Sequence, residues 1–323
     1  MDVHMGKDGI NMSCVDCHTA PNHEIKGRLY SVSSNNVSRL FCEDCHSTTP
    51  HLDEMLNTHT AKIACQTCHI PTYAKANPTK LSWKWSDAGY LNEEGKPITL
   101  DGADGEHVYM SMKGTFTWGK NLKPEYIWFN GKSDHYYLGD AIDTTNLPVK
   151  INDLKGSAND PHSKIIPVKV HRGDQIYDTK TMMLIQPKLY SQAEGDSAFW
   201  KDFNWSLSAE RGMKEIGLPF SGEYDFVETE MYWPINHMVS KASESLQCAD
   251  CHTPKDGRLA ELTGFYLPGR DRNTFLDNLG ILMILGSLFG VVLHAGIRTY
   301  SYFKHEKEHE MTDYEQFERE EKA

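Results

Sequence analysis

Between residues 76 and 240 the alternation of apolar and polar positions predicts short strands around turns rather than long helices. Thr115-Phe-Thr-Trp118, Tyr126-Ile-Trp-Phe129 with Asn130-Gly131 after it, His135-Tyr-Tyr-Leu138, Ile165–His171 and Met182–Ile185 each read as a strand. One helix is expected behind Ser197, where Phe199, Phe203 and Leu207 make an i, i+4, i+8 stripe that ends near Gly212 or Gly217. A different regime begins after Leu267-Pro-Gly-Arg-Asp-Arg272. Leu279–Ile297 is an uncharged run, extended by Phe275 and Leu276, and is long enough to span a bilayer. Its glycines at 280, 286, 290 and 296 weaken a helix in water but are common in membrane helices. Gly286-x-x-x-Gly290 offers a close-packing face to another membrane helix. His294 within the span reads first as an interhelical hydrogen-bonding group and second as a ligand of a haem b shared with a partner. The tail 298–323 is acidic, with Glu315/Arg319 and Glu318/Lys322 at i, i+4 spacing, and reads as a solvated helix.

Composition narrows the function. With 39% hydrophobic and 24% charged residues in 323, the chain is neither polytopic nor disordered, so most of it folds in water. A net charge of −12 excludes nucleic acid as a partner, since that recognition relies on Lys and Arg at phosphates. The pairing of eight cysteines with sixteen histidines points instead to metal chemistry.

All eight cysteines fall into four copies of Cys-x-x-Cys-His: Cys14/Cys17/His18, Cys42/Cys45/His46, Cys65/Cys68/His69 and Cys248/Cys251/His252. This is the attachment pattern of c-type haem, two thiols for thioether bonds and a proximal histidine for the iron. Zinc knuckles or redox dithiols would not require a histidine after every second cysteine. Four covalent haems c are therefore expected. The three motifs in residues 14–69 are too close together to bury three macrocycles in an ordinary core, so the groups are expected to pack on one another. The expected fold is a haem-packed multihaem cytochrome c, mainly helix and irregular, with a β-containing insert and a single C-terminal transmembrane helix.

The domains expected are a four-haem domain at 1–272, a transmembrane helix at 273–297 and a tail at 298–323. Within the first lie a three-haem cluster at 1–75, an aromatic-rich insert at 76–240 and the fourth haem at 241–272. Covalent haem implies export, so the haem domain is placed in the periplasm, the helix in the inner membrane and the tail in the cytoplasm. Residues 1–7 carry no secretory signal, which suggests a removed signal or a missing N-terminal part. Candidates for the sixth, distal ligand are His4, His23, His51 and His59 near the motif cluster, and His171 and His237, which have apolar neighbours. His107, His135 and His162 rank lower in polar surroundings, and His305 and His309 are set aside. Thirteen methionines leave Met ligation open, though methionine is more often a core filler.

Several stretches together resemble the C-terminal half of the octahaem tetrathionate reductase family: Asp2-Val-His-Met-Gly-Lys-Asp-Gly-Ile-Asn-Met-Ser-Cys14, Cys65-Gln-Thr-Cys-His-Ile-Pro-Thr-Tyr73, Ile165-Ile-Pro-Val-Lys-Val-His-Arg-Gly173, Glu228-Thr-Glu-Met-Tyr-Trp-Pro-Ile-Asn-His237 and Cys248-Ala-Asp-Cys-His252. The resemblance covers residues 1 to about 272. It implies a periplasmic multihaem enzyme related to hydroxylamine oxidoreductase and pentahaem nitrite reductase, acting on tetrathionate, nitrite or hydroxylamine. It also implies His18, His46, His69 and His252 as proximal ligands, with His171 and His237 distal. The family's catalytic haem has a lysine ligand and lies in the N-terminal half, and no Cys-x-x-Cys-Lys occurs in this chain. Two readings follow. In one, these residues are the electron-delivery half of a membrane-anchored reductase, with the N-terminal haem-bearing half or an upstream subunit as partner and some of His4, His23, His51 and His59 serving its haems. In the other, the chain is a non-catalytic electron-transfer subunit between a membrane cytochrome b or other quinol-oxidising partner and a soluble acceptor.

Overall fold

The computed structural model describes residues 2–27, 38–193 and 196–321. The chain divides into two units, Met1–Phe265 and Tyr266–Ala323. The first unit opens with single helical turns joined by irregular backbone: α1 (Cys14–Cys17), α2 (Glu54–His59) and α3 (Cys65–His69), with 3-10 turns at Pro21–His23 and Cys42–Asp44. Helices this short do not persist alone in water. They are held by caps and by tertiary contacts; the Asp53 carboxylate, for example, accepts the Met55 N–H at 2.8 Å to start α2.

The chain then builds eleven strands: β1 (Thr79–Lys84), β2 (Thr99–Asp101), β3 (His107–Met110), β4 (Gly114–Gly119), β5 (Glu125–Phe129), β6 (Ser133–His135), β7 (Val149–Lys150), β8 (Asn152–Leu154), β9 (Lys164–Asp178), β10 (Met183–Leu184) and β11 (Tyr224–Pro234). Nine form one sheet in the order β2-β3-β4-β1-β9-β11-β7, with β5 and β10 also paired to β9, while β6 and β8 pair separately. β9 is the spine. β11 runs antiparallel to it from Val168↔Pro234 to Asp178↔Tyr224. On its other edge β5 pairs antiparallel along residues 164–168 and β1 pairs parallel along 172–174. Gly173 permits that parallel approach, because a Cβ there would sit 2.7 Å from the Trp83 carbonyl oxygen.

The expectation of a mainly helical and irregular fold is corrected here, since a sheet is the largest organised element of the first unit. The predicted helix over 199–212 is also two helices, α4 (Phe199–Asp202) and α5 (Trp205–Glu215). Phe203 between them takes a left-handed backbone conformation, and the Asn204 side chain accepts the Leu207 N–H at 3.1 Å to start α5. Phe199, Trp205, Ala209 and Met213 from these helices bury against Ile176 and Ile185 of the sheet region. Trp205 stacks on Phe199 at 3.7 Å between centroids and meets Trp85 edge-on at 5.8 Å, so these aromatics form the core of the insert itself.

After β11 the chain forms α6 (Cys248–Cys251). The second unit contains one long helix, α7 (Thr274–Glu321), capped by Asn273, which accepts the Leu276 N–H at 3.2 Å. Residues Thr274–Lys307 are long and apolar enough to cross a membrane, their most apolar 18 residues having a mean hydropathy of 2.1 and none of their surface buried within the chain.

Candidate functional site

Each cysteine motif folds as one helical turn that brings its histidine back over the first cysteine. The His18, His46 and His252 N–H groups donate to the carbonyls of Cys14, Cys42 and Cys248, each at 2.8 Å. In three motifs the residue before the second cysteine is aspartate, and its carboxylate caps the turn: Asp16 accepts the Ser13 N–H at 2.7 Å, Asp44 the Phe41 N–H at 3.1 Å and Asp250 the Gln247 N–H at 2.7 Å. The third motif has Thr67 instead, buried, with its hydroxyl donating to the Ile165 carbonyl at 2.7 Å. That bond ties the motif to the start of β9. All eight cysteines are free thiols, so no disulfide competes for them.

Every proximal histidine faces a second imidazole. His46 faces His4 at 6.0 Å between ring centroids, His18 faces His237 at 6.2 Å, His69 faces His51 at 6.2 Å and His252 faces His59 at 6.2 Å. Imidazoles in van der Waals contact would stack much closer. Two metal–nitrogen bonds of about 2 Å plus the two ring radii add up to roughly 6 Å, so one metal ion fits between each pair. Several rings are also oriented for ligation. Nδ1 of His18 lies 2.7 Å from the Lys26 carbonyl oxygen, Nδ1 of His59 lies 2.8 Å from that of Met55, and Nδ1 of His51 lies 3.2 Å from Oδ1 of Asn57. A proton on Nδ1 leaves Nε2 as the free donor nitrogen toward a metal. Asn57 and the Lys26 and Met55 carbonyls carried no signal in the sequence, because their role depends on backbone geometry alone.

The remaining histidines are elsewhere. His171 is half-buried on β9, its Nδ1 3.3 Å from the Lys80 carbonyl oxygen, and burial, with the nearby Lys169 and Lys80 charges, pushes its pKa below the ordinary histidine value. It faces none of the proximal rings. Nor does His23, which sits exposed on the Pro21–His23 turn. His107 pairs with Asp101 at 2.5 Å, and Nε2 of His135 is buried without a hydrogen-bond partner.

The four motifs are neighbours in chain order. Burial, then the adjacent Cys45, raises the Cys17 thiol. A hydrogen bond between Cys42 and Cys65 raises the first and lowers the second to about 7. Burial, then Cys68, pushes Cys251 up to about 11. Motif one therefore borders motif two, two borders three and three borders four. Segment 238–246 closes the cluster: Ser240 N–H donates to the His69 carbonyl at 2.7 Å and Leu246 N–H to that of Cys68 at 3.0 Å. The Lys75 ammonium donates to the Met238 carbonyl at 3.0 Å and the Ser240 hydroxyl at 2.8 Å.

A family model described as bacterial cytochrome c matches residues 80–255, more than half of the chain. No curated protein matches. Among solved structures, the chain is similar to octahaem cytochrome c from Shewanella oneidensis, with 44% identity and a TM-score of 0.70 over 78% of this chain. The match spans 57% of that longer chain. The paired imidazoles, the attachment motifs and these similarities agree: the chain belongs to the bacterial cytochrome c family, as a multihaem c-type cytochrome.

Proposed function

We propose that this chain binds four haems c, each held by one Cys-x-x-Cys pair and two histidines of the chain itself, and works as an electron relay. The imidazole pairs that would hold them are His18 with His237, His46 with His4, His69 with His51, and His252 with His59. The observation that carries this reading is the spacing of 6.0–6.2 Å at all four pairs. Haem c supplies the one-electron chemistry when bound. The protein's part would be to offer two imidazole nitrogens to each haem, to line the motifs up in the order one to four, and to leave no position on the haem for an exogenous ligand.

A haem iron held by two imidazoles would have no open position for substrate. This supports electron delivery by these residues, with reduction of tetrathionate, nitrite or hydroxylamine assigned to a haem-bearing partner half or subunit. The same observation favours the second reading, a non-catalytic subunit between a quinol-oxidising membrane partner and a soluble acceptor. Both readings use α7 as an inner-membrane anchor, with the haem domain periplasmic and the tail cytoplasmic. Intact mass and spectroscopy of the membrane-bound protein test the common core. Four covalent haems on these residues, all low-spin and unmoved by added nitrite or hydroxylamine, are expected. A high-spin haem whose spectrum shifts on adding either compound would place the catalytic site on this chain and overturn the relay.

A further inference from the structure

We propose that Asp2 is a positioning residue that clasps two ligand-bearing segments together, setting His4 opposite His46 and His237 opposite His18. The inference rests on the axial pairs proposed above. Asp2 is buried, with 8% of its surface exposed. Its Oδ1 accepts the N–H groups of His4 at 2.8 Å and Met5 at 3.1 Å. Its Oδ2 accepts those of Met238 at 2.7 Å and Val239 at 3.0 Å. The Val3 N–H donates to the Val239 carbonyl at 2.9 Å alongside. One carboxylate thus ties the backbone that presents His4 to the backbone that follows His237, from opposite ends of the first unit.

The chemistry calls for a carboxylate. All four partners are donors, and an ionised Asp offers two acceptor oxygens with about four lone-pair sites and no donor of its own. Asparagine would turn an NH₂ group toward two of these N–H groups. The backbone beside His237 also needs holding: Met238 has φ of +74°, in the left-handed region that a side chain other than glycine rarely adopts. Hydrogen bonding of consecutive N–H groups, Met238 and Val239, to one oxygen stabilises that turn and so fixes the direction in which His237 leaves the chain. Lys75 holds the opposite side of the same turn through the Met238 carbonyl.

The test is electron paramagnetic resonance of the ferric, fully haem-loaded chain carrying Asp2→Asn or Asp2→Ala, beside His4→Ala, His237→Ala, His51→Ala and His59→Ala. Each histidine variant is expected to abolish one of four low-spin signals. Asp2→Asn is expected to shift the two signals lost in His4→Ala and His237→Ala and to leave the other two in place; Asp2→Ala should move the same two further. If Asp2→Ala does not mature, Asp2→Asn, which keeps one acceptor oxygen, decides alone. A shift of all four signals, or of none, overturns the clasp. If His4→Ala and His237→Ala leave all four signals intact, the axial pairing fails and the clasp with it. If they each abolish one signal while the Asp2 variants move neither, the pairing stands and only the clasp fails.

Discussion

Residues 2–75 and residues 79–234 belong to one unit but are stabilised by different means. The sheet region has a conventional interior: Phe199, Met213 and Ala209 are wholly buried, and Ile165, Val168 and Val170 line β9. Among the described residues, the motif region buries few hydrophobic side chains, chiefly Ile70, Tyr73 and Ala74 next to the sheet. Ile10, Val15, Ile25, Leu52, Met55 and Leu56 are exposed. Apolar side chains of that size, on helical turns too short to be stable alone, need a hydrophobic partner. Four macrocycles would supply it. The comparison teaches that one part of the unit folds around its own side chains, while the other presents apolar side chains that covalent haem would cover.

The largest effect should come from withholding haem. Chain produced without haem attachment is expected to lose protection through residues 2–27, 38–75 and 241–265 while β9 and β11 stay protected, as read by hydrogen exchange. Uniform protection in both regions would break the comparison. Damage to the sheet core runs the other way. Phe199→Ala should cost about 3–5 kcal/mol in a urea melt of the sheet, from lost burial and the cavity it leaves. The low-spin haem spectrum should persist at urea concentrations below that transition. A more local effect is expected of His252→Ala, in which Cys248 and Cys251 keep the haem attached while one of four low-spin signals becomes high-spin. Retention of all four low-spin signals would count against His252 as a ligand.

The same contrast explains what the sequence made legible. The four Cys-x-x-Cys-His motifs are local patterns of five residues, so they were readable at once, as were the strand segments in β4, β5 and β9. Distal partners depend on folding over long separations: His237 meets His18 because β11 delivers it past the end of the sheet, and nothing near either residue encodes that. The apolar neighbours that singled out His171 belong to the central strand of a sheet, β9, where its ring meets the Lys80 carbonyl rather than a motif histidine. The extent of that sheet was obscured because Pro167 and Gly173 punctuate β9, whereas its fifteen residues are held by four partner strands. The stripe Phe199, Phe203, Leu207 suggested one helix because periodicity does not reveal a cap such as Asn204 interrupting it.

The smallest predicted effect sharpens the comparison through pH. Asp178 lies where β9, β10 and β11 meet, with none of its surface exposed. Its carboxylate accepts the N–H groups of Lys180 at 2.8 Å, Thr181 at 2.9 Å and Ser221 at 2.6 Å, and the Ser221 hydroxyl at 2.9 Å. Burial opposes ionisation, but these donors together hold the carboxyl below its ordinary range. A carboxyl whose folded value lies below its unfolded value, about 3.9, stabilises the fold fully above the unfolded value. That contribution is lost as pH falls through the folded one. Asp178→Asn removes the charge and one acceptor oxygen, so the sheet should lose about 1–2 kcal/mol at pH 7. The gap between variant and parent should close as acid protonates Asp178 in the parent, giving the variant a flatter acid limb in urea melts followed by tryptophan fluorescence. A gap that stays constant down to pH 2 would show that the loss comes from packing rather than from the ionised carboxylate. Stabilisation of the sheet would then have to be ascribed to shape alone.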